Sequence, residues 1–232
     1  MMDYTDRAVI VTGGTGALGS AVVTRLLALG AECWIPLYHE DELARFPHTD
    51  HERVHLGRGV DLRDDAAAEA FFSRPDGLWA SIHITGGFAM APIEDTSLDD
   101  WRRMMQMNAT TCFLSCREAV RRMKHAGIGG RIVNIAARPA LVPTGGMVAY
   151  AASKAAVASI TQSLAEEVAA SGIWVNAVTP SIMDTPANRR AMPDADHAAW
   201  PSVADAAETI VFLASPANRA TRGGIVPVYG RS

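Results

Sequence analysis

Tyr150 and Lys154 stand four residues apart in the run YAASK, so on a helix both side chains leave the same face, one turn apart. A phenol that must give up a proton and recover it near neutral pH is limited by an ordinary pKa of ~10. An ammonium about 5 Å away, at an effective dielectric of ~20, stabilises the phenolate by about 3 kcal/mol, or about 2 pKa units. The pair is therefore read as a proton-exchanging phenol with its activating cation, suited to a substrate atom that gains or loses hydride. A second run, TGGTGALG at residues 12–19, follows an apolar segment and opens an apolar-periodic one. Glycines there let backbone amides approach a pyrophosphate at the positive end of a helix dipole, where side chains would block contact.

Those residues need a frame. Short apolar runs, most of them rich in β-branched residues, recur at 8–12, 33–37, 53–56, 78–84, 131–135, 174–178 and 225–228, with helical spacing between them at 17–29, 64–73, 98–126, 148–171 and 203–214. Several of the strands are apolar throughout, as strands covered on both faces are. Ser97 with Asp100, and Ser202 with Asp205, read as capping boxes in which Asp takes the usual place of Glu. The alternation predicts an α/β fold: a single-domain, Rossmann-like, doubly wound parallel sheet of about seven strands with helices on both faces. One domain is expected across residues 1–232. The stretch 180–201 carries four prolines, exceeds an ordinary connection and is read as a substrate lid.

The 232 residues are 49% hydrophobic and 20% charged, an ordinary globular balance that excludes disordered and fibrous classes. A net charge of -4 offers no basic surface for a phosphodiester backbone, so the expected partner is a small molecule and not nucleic acid. No run approaches the ~18 apolar residues of a membrane span, and MMDYTDRAVIV lacks a secretory apolar core, so a cytoplasmic protein without a membrane partner is expected. Cys33, Cys112 and Cys116 lack a CxxC spacing and read as buried free thiols, the latter two on one helix face. His48, His51 and His55 cross from loop into strand without a ligand geometry, and no metal is expected. His83 reads as a packed or hydrogen-bonded strand residue, and Met104, Met105 and Met107 with Trp101 as packing against the sheet or a neighbouring subunit.

The glycine loop, with its strand, turn and helix, resembles the TGxxxGxG loop of the short-chain dehydrogenase/reductase family, with Ala17 at the middle glycine, and YAASK resembles that family's Tyr-Lys motif. The resemblance covers almost the whole chain. It implies an NAD(P)H-dependent oxidoreductase that reduces a small C=O or conjugated C=N group, with Tyr150, Lys154 and Asn108 catalytic: Lys154 also holds the nicotinamide ribose, and Asn108 holds a water in the proton relay. It further implies cofactor contacts from Gly13, Thr15, Gly16, Ala17, Leu18 and Gly19, from Leu37 and Tyr38, and from Asp61 and Leu62. Gly86 and Gly87 in HITGG, Pro180, Ile182 and Thr185 complete that set. Phe88, Ala137, Arg138, Met147, Met183 and the lid through Trp200 are expected to shape the substrate pocket. A homodimer or homotetramer is the family expectation.

One departure matters chemically. Ala137 stands where most relatives carry a serine that hydrogen-bonds the substrate oxygen, and losing such a donor costs on the order of 10²- to 10³-fold in rate. The stretch AARPALVPTGGMVAYAASKAAV, followed by DTPANRRAMPDADHAAW, is similar to the quinonoid dihydropteridine reductase branch, which also has alanine there. Such a substrate would collect charge on nitrogen and manage with the tyrosine proton alone. A third reading is a cofactor-binding regulatory or scaffold protein whose chemistry lapsed with the serine. The end of the second strand offers neither a clear acid nor a clear base, but Glu40, Asp41 and Glu42 follow it, which leans the cofactor choice to NAD(H) over NADP(H).

Overall fold

The computed structural model describes residues 2–232. Seven strands form one parallel sheet in the order β3-β2-β1-β4-β5-β6-β7. They are β1 Ala8–Thr12, β2 Glu32–Leu37, β3 Val54–Arg58, β4 Leu78–His83, β5 Gly130–Ile135, β6 Ile173–Pro180 and β7 Ile225–Val228. The helices are α1 Ala17–Ala28, α2 Asp65–Phe72, α3 Leu98–Met104, α4 Thr111–Ala126, α5 Val148–Glu167, α6 Pro186–Ala191 and α7 Val203–Ala214. All seven anticipated strands are present, displaced by a residue or two at their ends.

The sheet is buried because both faces are covered. α1 and α7 pack together on one face, where Val22, Val23, Leu26, Ile210 and Val211 meet Val9, Val11 and Ile35. On the other face α2, α4 and α5 bring Phe71, Phe72, Ala119, Met123 and Val157 against Ile10, Ile132 and Val175. The chain winds outward from β1 to β3, then returns to place β4 on the other flank of β1. That reversal opens a crevice beyond the carboxyl ends of β1 and β4, the place where open α/β sheets receive ligands. Among the described residues no helix is long and apolar enough to cross a membrane.

The expected helix over 98–126 begins with the capping box of Ser97 and Asp100 and then departs from α-geometry. Met105–Thr110 forms a π-helical turn between α3 and α4, with Asn108 buried within it. Such a bulge shifts the register of a helix, and here it turns the Asn108 carboxamide onto the backbone of Gly87. Ser202 caps α7 through the Asp205 amide as its spacing suggested. The 180–201 stretch is more ordered than its prolines implied: it holds α6 and a 3-10 turn at His197–Ala199, and its ends are joined by the Asp184–Ser202 bridge.

Candidate active site

The glycine loop is built for close approach. Gly13 has φ +66, and a Cβ there would stand 2.8 Å from the Thr85 amide nitrogen. A Cβ on Gly19 would overlap the carbonyl oxygen of Gly13, so the first turn of α1 can lie on the loop only without side chains. α1 starts at Gly16, which supplies no capping side chain, leaving the helix's first amides open to a ligand. Beyond the loop lies a cavity of about 480 Å³, lined by Gly13, Gly16, Ala17, Leu18, Gly19, Tyr38, Asp61, Leu62 and Gly86 among others. A cradle of amides at an uncapped helix start, opening on a partly apolar cavity, fits a dinucleotide's pyrophosphate and adenosine.

The cavity also gathers residues that the loop pattern did not single out: Pro36, His39, Val60, Arg63, Ile84, Thr85, Met107 and Thr111. The available signal was position, since each lies at or near a strand end, in the π turn or one helical turn beyond it. Met107 lines this cavity, not merely the packing layer proposed for it. Glu42 reaches back from the turn after β2 to accept the Thr15 hydroxyl proton, so Thr15 serves as the anchor of an acidic wall. Leu37 corrects the expectation: it is 1% exposed, its side chain belongs to the core, and it does not line the cavity. Asp61 does line it, held bidentate by Arg63, whose hydrogen bonds keep the carboxyl below its ordinary range. The start of α2 is capped by Asp64, not by Asp61.

Tyr150 and Lys154 occupy successive turns of α5 and converge on one segment. The Lys154 Nζ donates to the Ile135 carbonyl at 2.8 Å, and a Cβ on Gly86 would stand 3.3 Å from it. The Tyr150 ring meets the ring of Phe88 edge to face at 5.0 Å. Lys154 thus reaches Gly86 and Tyr150 reaches the Phe88 side chain, two neighbouring points on the segment that leaves β4. The electrostatics differ from the spacing argument. Burial pushes the phenol up to about 12, and burial also pushes Lys154 from 10.5 down to about 8. The expected lowering of the phenol is thus absent here, because desolvation dominates both groups.

Asn108 lies between the Gly87 backbone and α5. Its Oδ1 accepts from Gly87 N at 2.9 Å, while its Nδ2 donates to Gly87 O at 3.0 Å and to Ser153 Oγ at 2.9 Å. Ser153 Oγ in turn donates to the Tyr150 carbonyl at 2.7 Å. The carboxamide is a clamp that ties the Gly87 backbone to α5 beside Tyr150.

Ala137 is buried, and Arg138 beside it lies with its guanidinium carbon 5.0 Å over the Tyr229 ring. Met147 borders a small cavity of about 130 Å³ with Met90, Asp100 and Arg103. Met183 packs against the α1–α7 core, and Trp200 rests 4.6 Å from the His197 ring, which itself bonds the Met192 carbonyl. Thr185 caps α6 through Asn188, Ile182 is 43% exposed, and Pro180 ends β6; none of the three lines the large cavity.

One cluster escaped the sequence reading. His83, Cys112 and Cys116 are all buried, with ligand atoms within 4.8 Å of one another. Asn134 Nδ2 donates to Thr161, which leaves its Oδ1 to accept the His83 Nδ1 proton at 2.8 Å, and Ser81 Oγ lies 2.7 Å from Nε2. Both imidazole nitrogens are thereby committed to hydrogen bonds within the protein. Among the other histidines, His55 pairs with Glu32 and stacks on Trp34.

A doubly wound parallel sheet, an amide cradle at its switch point and a buried lysine beside a tyrosine define a nucleotide-dependent oxidoreductase class. The short chain dehydrogenase family model matches residues 7–196, and the chain belongs to that family, whose members bind NAD(P). It is 32% identical to a cis-4-hydroxycyclohexanecarboxylate dehydrogenase of Sinomonas cyclohexanicum, across 98% of this chain and 96% of that one. It is 30% identical to a 3-alpha-(or 20-beta)-hydroxysteroid dehydrogenase of Mycobacterium bovis, across 97% and 88%. A short-chain type dehydrogenase/reductase structure from Mycobacterium ulcerans superposes with a TM-score of 0.90 at 25% identity, covering 99% and 90%.

Proposed function

We propose that this oxidoreductase interconverts a carbonyl and a secondary alcohol on a small substrate, with Tyr150 exchanging the proton. The observation that carries the reading is that Lys154 Nζ lies beside Gly86, which lines the amide-lined cavity, while Tyr150 packs on the Phe88 ring two residues further on. When bound, the nicotinamide supplies or accepts the hydride. A phenol near 12 keeps its proton at neutral pH and gives it to an alkoxide-like oxygen, which is the stronger base. Lys154 would hold the ribose and stabilise the phenolate left behind, and Asn108 would keep the Gly87 backbone and α5 in register. The 180–201 segment would close over the substrate.

NAD(H) is the preferred cofactor in this reading. Glu42 faces the cavity from Thr15, and Arg63 is neutralised by Asp61, so the wall near Tyr38 repels an extra phosphate. The free, buried cysteines suit a reducing compartment such as the cytoplasm. A second copy would pack on the outer face of α3 and α4, where Leu98 and Phe113 are exposed.

A relative that acts on a hydroxycyclohexanecarboxylate makes ring alcohols bearing an acid group the first candidates. Ala137 gives the quinonoid pterin its place as a further arm of the same screen. The decisive experiment follows nicotinamide absorbance with cyclic hydroxy acids, ketones and quinonoid dihydropterin, comparing wild type with Tyr150→Phe. Loss of at least about 10²-fold in kcat with cofactor binding retained is expected. Wild-type turnover by the variant refutes Tyr150 as the acid, and tight NAD(H) binding without turnover of any substrate favours a lapsed enzyme.

A further inference from the structure

Arg138 opens the turn that follows β5 and precedes the rigid Pro139, one residue beyond the alanine that lacks a donor. This turn packs on α5, which carries Tyr150, and on β6. Arg138 thus sits beyond the carboxyl ends of β5 and β6, away from the cavity at the ends of β1 and β4. Its guanidinium lies over the Tyr229 ring, and that platform is tied down by Ser181 Oγ, which donates to the Tyr229 carbonyl at 3.0 Å. A contact of the guanidinium with the ring spends none of its N–H donors. Arg58, Arg63, Arg117 and Arg189 each rest on a carboxylate, whereas among the described residues Arg138, like Arg7 on Trp79 and Arg74 on Phe71, has neither an ion-pair partner nor a side-chain hydrogen bond; of these three, Arg138 is the one in the turn packed on α5. A half-buried cation beside an anchored ring, with no internal anion and no side-chain hydrogen bond, is free to take an anion from outside.

We propose that Arg138 binds the carboxylate of an anionic substrate, taking its two oxygens with paired N–H donors and so presenting the reacting carbon to Tyr150. The inference rests on the carbonyl–alcohol reading above and narrows its substrate class to carboxylates. Arg138 acts here as a substrate-binding residue, and its lysine variant keeps the charge but loses the paired geometry.

The test compares a hydroxycyclohexanecarboxylate with its primary amide, which has similar shape and no charge, in wild type, Arg138→Met and Arg138→Lys. The wild type is expected to favour the acid by at least ~10-fold in kcat/KM. Arg138→Met should cost the acid about 10²-fold, mostly in KM, and the uncharged amide, which keeps only one acceptor oxygen for the guanidinium, at least about 10-fold less. Arg138→Lys should recover part of the loss. Equal losses for acid and amide, or no wild-type preference for the acid, overturn the proposal. If the wild type turns over neither compound, calorimetric binding of cyclohexanecarboxylate and cyclohexanecarboxamide to the enzyme–NADH complex decides separately. Acid-selective binding lost in Arg138→Met supports the site while the turnover reading fails, and binding without selectivity overturns the site. Matching melting curves of the variants exclude misfolding, and Arg138→Lys serves if Arg138→Met does not fold.

Discussion

Lys154→Met should make the protein more stable at neutral pH and inactive. Lys154 is only 6% exposed, and burial holds its amine at about 8, against an ordinary 10.5. That depression corresponds to about 3 kcal/mol of folding free energy spent on keeping the ammonium charged inside the protein. Methionine fills similar volume without a charge but gives up the hydrogen bond to the Ile135 carbonyl, about 1 kcal/mol. The variant should therefore gain about 2 kcal/mol at pH 7, a rise in Tm of about 4–8 °C. The pH dependence carries the sign. Below pH 8 both folded and unfolded chains hold the proton and the wild type bears the full cost. Between pH 8 and 10.5 the unfolded chain holds more protons than the folded one, so wild-type stability rises with pH. The variant's advantage should shrink across that window and reverse to a deficit of about 1 kcal/mol near its top, once only the lost hydrogen bond remains. Urea denaturation of both proteins from pH 6.5 to about 10.5 measures the difference, and groups common to both cancel. A variant less stable at pH 7, or a difference flat with pH, refutes the claim that the ammonium is held against a desolvation cost.

Asn108→Ala leaves the Gly87 amide and carbonyl without their side-chain partner, so a loss of about 2–4 kcal/mol is expected by chemical denaturation. The same variant should lose activity even where it is folded, because the Gly87–Phe88 backbone is released from α5; full activity would show that the clamp is merely structural. Glu42→Gln should raise the NADPH-to-NADH ratio of kcat/KM several-fold and more at low ionic strength, since the exposed carboxylate acts across solvent. An unchanged ratio would remove Glu42 from cofactor choice.

Much of the architecture was legible in the residues themselves. Strand 33–37 is apolar along its length, and 8–12 is so up to its terminal Thr12, because helices cover both sides of the sheet, and the Ser97–Asp100 cap fixed a helix start locally. The π turn was not legible: Met105–Thr110 has ordinary helix formers, and its register shift arises from bonds to Gly87, 21 residues away in sequence. What the spacing did not show is the packing of the 180–201 segment: Met183, half-buried, rests against the α1–α7 core, and Trp200 lies against His197.

What the sequence alone determined was chemistry carried by local spacing: glycines with no Cβ at residues 13, 16 and 19, and a tyrosine and lysine one helical turn apart. Period and residue size act over a few residues and can be read there. Only the tertiary structure decided the charge state of that pair, the clamp at Asn108, the burial of Leu37 and the carboxylate of Glu42 at the cavity wall. Desolvation and hydrogen-bond partnership depend on what folding brings near from far along the chain, and no spacing rule records that.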